Sequence, residues 1–145
     1  MLIGHLINFV RIWKQNESNP ALISKHWPGK QWSIYIRRKD ADWRGYARCF
    51  TCRRQYLWKE LQAGHFKHGK LDFHPLNIHP QCVRCNKWLH GNLDSYSLWL
   101  TKTYGPEISE TIDVLVRDEK ILTSQDLQAI YLKYKQLNSS SSVST

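Results

Sequence analysis

At 145 residues, with 41% apolar content and a net charge of +9, the chain is long enough for one domain with a core of its own and too short for two large ones. Seven Trp are many for this length, and indole rings bury large areas while keeping a donor that wants a partner, so one compact aromatic-rich domain is the default. The excess charge is confined. Between Lys30 and Lys87 there are 13 Lys/Arg against four acids, whereas the remainder holds eight of each sign. A segment facing nucleic acid would be charged in this way; the bland alternative is a solvated basic face.

In chain order, residues 2–16 place Leu2, Leu6, Phe9 and Trp13 on one helical face, an amphipathic helix that serves either core packing or a dimer seam. His5, Asn8 and Arg11 interrupt its apolar run, so no membrane span and no secretory leader is expected. The compartment that follows is a reducing cytoplasm. Asn19-Pro20 breaks the pattern, and a second break falls at Pro28-Gly29. Trp32, Tyr35 and Ile36 predict a helix from Gln31 to about Lys39, with Arg37, Arg38 and Lys39 on its polar side.

Cys49–Cys52 predicts a tight knuckle, followed by short strands near Gln55–Trp58 and Leu61–Phe66 and a loop over Lys67–Pro75. Cys82 opens a second knuckle, with a helix from about Cys85 or Asn86. Gly91-Asn92 breaks it. Leu93–Tyr104 forms the next helix and Gly105-Pro106 stops it. Helices follow over Glu107–Arg117 and Ser124–Leu137, the last capped by Thr123 or Ser124, and the polar stretch 138–145 is expected to be disordered. The organisation reads as an N-terminal helical segment at 1–30, a metal-bound core with lead-in helix at 31–105, C-terminal helices at 106–137, and the tail.

Four cysteines in two Cys-x-x-Cys pairs, with 29 residues between them, match the tetrahedral demand of a structural zinc ion. In a reducing compartment, metal is expected over disulfide. A closed four-sulfur site has no open position, so this zinc would hold the fold and leave the chemistry to others. Phosphodiester hydrolysis needs a base for water, a cation for the phosphate and a group that orients the base. His65, at the end of a strand, Asn86, at the start of a helix, and Asn77, in the loop between, can fill those three roles as base, metal ligand and orienting group.

Gly64-His65-Phe66, Asn77 ahead of Cys82, and Asn86 directly after Cys85 resemble the His-Asn-His or His-Asn-Asn nucleases, also called ββα-metal or His-Me finger enzymes. Cys49-Phe-Thr-Cys52, Ala63-Gly64-His65-Phe66, the run Asn77 to Asn86, and Gly91-Asn92 followed by Tyr96 are more closely similar to the NinG/Rap family of phage recombination proteins, over about residues 35–112. The resemblance implies an α+β fold: a small zinc-stabilised ββα-metal (His-Me finger) core embedded in a mainly helical domain. It also implies a structure-selective DNA endonuclease acting on Holliday junctions or D-loops in the host cytoplasm. His65 would be the general base, Asn77 would fix the loop that orients it, and Asn86 would ligate Mg²⁺ or Mn²⁺. Cys49, Cys52, Cys82 and Cys85 would hold Zn²⁺.

Many such enzymes place an acid or a histidine directly before the base as a further metal ligand, and here that position is Gly64. His90, four residues after Asn86 and on the same face if the helix continues to it, is the replacement candidate, ahead of Asp72, His68 and Asp94. Backbone contacts are expected from Arg37, Arg38, Arg53, Arg54, Lys67, Lys70, Arg84 and Lys87, and His74 and His79 are read as loop-structural or phosphate-facing. A symmetric four-way junction asks for paired cuts, so a homodimer is expected. The rival readings are a non-catalytic zinc-finger module that binds duplex DNA, and a sequence-specific His-Asn-His endonuclease.

Overall fold

The computed structural model describes residues 28–140, so the helix expected at 2–16 lies outside the described residues. The described chain is α+β, with no helix long and apolar enough to cross a membrane. It divides into two compact units. Residues 33–121 form the one that carries the cysteines and histidines; residues 28–32 and 122–140 belong to the other.

Helix α1 spans Pro28–Arg38. The break expected at Pro28-Gly29 is instead its start, because proline's fixed φ and missing N–H suit the first helical position. Arg37 and Arg38 sit in its last turn, where cations favour the carbonyl end of the helix.

In the larger unit, β1 (Tyr46–Arg48) and β2 (Gln55–Leu57) pair antiparallel, and the first knuckle is the turn between them. After a 3-10 turn at Trp58–Glu60, β3 (Gln62–His65) pairs antiparallel with β4 (Ile78–Gln81), placing Gly64 opposite His79 and His65 opposite Ile78. A π-helical turn at Arg84–Trp88 follows, then α2 (Leu93–Tyr104) and α3 (Ile108–Asp118). Each of these two helices buries an i, i+4 pair, Tyr96 with Leu100 and Ile108 with Ile112. With Phe50 and Leu71 they make one core, against which Phe66, Leu76, Trp99 and Leu115 pack. The second core is built largely of sulfur: Cys49, Cys82 and Cys85 with Ala47 and Leu61. Because α3 packs on the first core, this unit runs through Ile121, past the break at Gly105-Pro106.

In the smaller unit, α4 runs from Ser124 to Ser140. Thr123 and Asp126 cap it reciprocally: the Thr123 N–H donates to Asp126 Oδ2 at 2.8 Å, and the Asp126 N–H donates to Thr123 Oγ1 at 3.2 Å. The expected disorder from 138 onward is corrected for residues 138–140, which are helical. Asn138 Nδ2 donates to the Gln31 carbonyl at 2.9 Å and to Gln31 Oε1 at 3.0 Å, which ties down the end of the helix.

Candidate functional site

The four sulfurs converge so that all lie within 4.8 Å of one another, with Cys52 Sγ and Cys82 Sγ 3.9 Å apart. A tetrahedron of thiolates ~2.3 Å from a zinc ion has edges of ~3.8 Å, so the cluster has the size such an ion needs. The knuckle is held by backbone: the Cys49 N–H donates to the Arg54 carbonyl at 2.9 Å, and the Arg53 N–H to the Cys49 carbonyl at 3.0 Å. Donors also reach the sulfurs, the Cys85 N–H to Cys82 Sγ and Asn92 Nδ2 to Cys85 Sγ, both at 3.5 Å.

Burial pushes the Cys52 thiol up to about 12, and the neighbouring Cys49 and Cys82 sulfurs push the same way. At Cys49 burial is outweighed by N–H groups of Cys52, Cys82 and Thr51 and by the Thr51 hydroxyl, which bring it down to about 7. Four thiols this close cannot all ionise against one another. A central divalent cation is what would let them do so.

Asn92 reaches Cys85 because the chain turns sharply after the π-helical turn. The Gly91 N–H donates to the carbonyls of Cys85 and Asn86 at 2.9 and 3.0 Å, and Gly91 has φ +90°, a conformation that favours glycine. His90 lies in the left-handed region at φ +50°. The helix that was to carry His90 onto the face of Asn86 stops at Trp88, so the candidacy of His90 by helical spacing is corrected.

His65 ends β3 with its side chain 28% exposed. Its Nε2 lies 3.6 Å from Asp72 Oδ1, and its ring stacks on that of His68 with centroids 5.3 Å apart. Burial holds the imidazole below its ordinary pKa; Asp72 opposes this and His68 adds to it, so the ring is neutral near pH 7. The loop after His65 is fixed by Asn77, which is fully buried. Its Nδ2 donates to the carbonyls of Lys67 (2.7 Å) and Leu71 (3.1 Å), its Oδ1 accepts the Lys67 N–H (2.8 Å), and its own carbonyl accepts the Phe66 N–H (2.9 Å).

Asn86 is brought to the other end of the same strand. Its Nδ2 donates to Gln62 Oε1 at 2.8 Å, leaving the oxygen, the atom a hard cation prefers. Gln62 and His65 stand about 10 Å apart along β3. Among the described residues no hydrogen bond or ion pair joins His65 to Asn86.

Gly64 has a steric reason. A Cβ there would overlap the Gln81 amide, coming within 2.6 Å of its Cδ and 2.8 Å of its Cγ. Gln81 is itself fully buried, its Nε2 donating to the Gly91 carbonyl at 2.8 Å and to Thr51 Oγ1 at 3.2 Å. No side chain, and so no metal ligand, fits at position 64. The hairpin is braced from α2: the Tyr96 hydroxyl donates to the carbonyls of Gly64 (2.9 Å) and Asn77 (3.3 Å). That hydroxyl lies 3.0 Å from His79 Nδ1, and His79 Nε2 lies 2.8 Å from the Tyr104 hydroxyl. His79 is therefore a buried brace rather than a loop or phosphate-facing residue; it stacks on Phe50, and burial drives it down to about 4. His74 is local, its Nδ1 accepting the Leu76 N–H at 3.2 Å.

The basic residues sort into two groups. Arg37 is corrected from a phosphate contact to a structural one: its guanidinium donates to the carbonyls of Ser33 and Leu61 at 3.0 and 3.3 Å and lies over Trp58. Arg53 is tucked over Trp99, 4.3 Å from the ring centroid, and Arg38 lies near Trp58. Arg54, Lys67, Lys70, Arg84 and Lys87 are exposed; Lys67 and Lys70 border the His65 loop, and Arg84 and Lys87 flank Asn86. Sequence reading missed Gln62, Gln81, Tyr104 and the bracing role of Tyr96, whose contacts exist only once the hairpin is paired.

What the fold and these contacts define is a small α+β protein pinned by four clustered cysteines that could hold a structural metal such as zinc. The chain belongs to the NinG family: Bacteriophage Lambda NinG protein is the family matched, over residues 24–141. It is similar to the Protein ninG of Escherichia phage 933W, 31% identical over 108 residues, 72% of this chain and 51% of that protein. The same-named proteins of Salmonella phage P22 and Escherichia phage lambda are each 30% identical, covering 72% of this chain and 50% of theirs. The chain thus spans about half the length of these relatives. No solved structure matches it.

This match corrects the wider resemblance drawn from the sequence. The family is lambda NinG, and the assignment to a Rap-type, His-Me finger family of recombination endonucleases does not stand.

Proposed function

We propose that the chain is a metal-dependent endonuclease that hydrolyses phosphodiesters of branched DNA, such as Holliday junctions and D-loops. The observation that carries this reading is the His65 loop: a neutral, partly exposed imidazole set against Asp72 on a loop clamped by buried Asn77. With Asp72 Oδ1 3.6 Å from Nε2, a proton carried on Nε2 would leave Nδ1 the lone pair a general base needs. In this reading β3, β4 and the following helical turn carry the base and the metal ligand, His65 at one end of β3 and Asn86 at the other. Asn86 would offer its oxygen to Mg²⁺ or Mn²⁺, ions that keep several waters and so tolerate a sparse protein shell. The cation would neutralise the phosphate and the leaving oxygen, and His65 would take the proton of the attacking water. Exposed Arg54, Lys67, Lys70, Arg84 and Lys87 would hold backbone phosphates, contacts that read shape and carry no base sequence. Paired cuts in a four-way junction would call for two copies.

The test is cleavage of a synthetic four-way junction with Mg²⁺ or Mn²⁺ by the wild type and by His65→Ala. Cutting by the wild type, reduced about 100-fold or more in the variant, supports the reading. If the wild type binds the junction yet cuts it with neither metal, the rival takes its place: a non-catalytic DNA-binding module built on the four-cysteine cluster.

A further inference from the structure

The turn between α1 and β1 holds one indole in solvent. Trp43 is 94% exposed, the largest fraction of any large apolar side chain among the described residues. Its backbone is clamped. Asp42 Oδ1 accepts the N–H groups of Arg44 and Tyr46, both at 2.9 Å, while Asp42 Oδ2 takes the Arg44 guanidinium at 2.9 and 3.2 Å. The Gly45 N–H donates to the Asp42 carbonyl at 2.9 Å, and the Asp42 N–H to the Tyr46 carbonyl at 2.8 Å. The guanidinium so held lies 5.9 Å from the Trp43 ring and 5.5 Å from the Tyr46 ring.

Single exposed apolar side chains are ordinary on protein surfaces. An indole almost wholly in water, on a turn fixed by six hydrogen bonds to one aspartate carboxylate and its backbone and with a cation locked beside it, is a prepared stacking surface. The chain around it is exposed and basic: among the described residues Lys39 and Arg44 are ion-paired with Asp40 and Asp42, Arg48 is not, and all lie within the segment that holds the entire net charge. A partner must therefore offer a flat π-face together with negative charge. Unpaired nucleotides offer both, whereas bases in an intact duplex have their faces covered by neighbouring pairs.

We propose that Trp43 stacks on an unpaired nucleobase of branched DNA and so selects branched over intact duplex DNA. The proposal rests on the reading above for DNA as the partner and adds the feature of the substrate that is recognised. The full chain is titrated by fluorescence anisotropy in Ca²⁺ buffer against two labelled DNAs. One is a four-way junction with unpaired nucleotides at the crossover; the other is a fully paired linear duplex of equal length. Trp43→Ala is expected to weaken junction binding about tenfold while duplex binding stays within about twofold, with Trp43→Phe recovering most of the loss. Equal weakening on both DNAs, or none on either, overturns the proposal. So does a change in solution mass of the Ala variant by light scattering, which would assign the indole to a contact between copies. Should Trp43→Ala lose its folding transition, Trp43→Gln and Trp43→Phe carry the same comparison. Failure of the nuclease reading is separately visible, as a wild type that binds the junction with this Trp43 dependence and cuts nothing with Mg²⁺ or Mn²⁺.

Discussion

The cysteine cluster and the His65 loop belong to the same 44 residues from Cys49 to Asn92 and are built on opposite terms. At the cluster, Cys49, Cys82 and Cys85 are buried and Cys52 is half-buried, and the four sulfurs face one another. At the loop, His65 and Asp72 keep 28% and 49% of their side-chain surface in contact with solvent. Rigidity there comes from beneath, through Asn77 and Tyr96. A site that only holds the chain together can close. A site proposed to activate water must stay open, and the His65 loop takes its order from buried neighbours.

The comparison breaks most severely if the cluster is opened. Cys85→Ser, or removal of the metal by a chelator, is expected to abolish the cooperative unfolding of the Cys49–Asn92 segment, a loss on the order of 10 kcal/mol, seen in near-ultraviolet circular dichroism together with metal content. Next in size, Asn86→Ala should leave the cysteine-held metal in place and lower metal-dependent cutting by about 100-fold or more, since even outer-shell partners of a metal carry about 10- to 100-fold. Loss of the cysteine-held metal in that variant would show that the two sites are one.

Acid probes the brace between them. The pKa of His79 sits at about 4 in the folded chain, below its ordinary 6.5, so the unfolded chain binds the proton more tightly. The resulting stability is fully present above about pH 6.5 and lost as the pH falls toward 4, about 3 kcal/mol in all. Denaturant midpoints at pH 7, 5.5 and 4.5 should follow that slope in the wild type and flatten in His79→Gln. Asn77→Ala strands one N–H and two carbonyls of the loop. It should cost about 2 kcal/mol by denaturation and reduce cutting while the cysteine-held metal stays bound. The smallest effect is electrostatic. Asp72 raises the His65 pKa, so Asp72→Asn should move the acid limb of the cleavage profile to lower pH, and His68→Ala should move it to higher pH.

The cluster was legible because two-residue spacing within each Cys pair is itself a chelate, needing only one long-range contact to close. Helices α2, α3 and α4 were legible from their apolar spacing and caps, α2 with both its ends, α3 shifted by one residue and α4 running three residues further. The rest depended on pairing that spacing does not encode. Strand β4 hid behind Pro80, which an edge strand tolerates and which reads in isolation as a breaker. His79 looked like a loop residue until Gly64 stood across from it. Arg37 read as a cation for phosphate because nothing local announces that its guanidinium will meet the Leu61 carbonyl, 24 residues on. His90 followed Asn86 at helical spacing, but the left-handed turn at His90, Gly91 and Asn92 overrode the period.

The side chain of Gln81, filling the space a Cβ would need at Gly64, has a consequence for how this chain can change over generations. An acid or a histidine ahead of His65 cannot be gained by one substitution, because the newcomer would meet an amide that Thr51 and Gly91 hold in place. The two positions must vary together, with a smaller residue at 81 arising before or alongside any side chain at 64. Along a lineage, glycine at 64 and glutamine at 81 would be inherited as a pair.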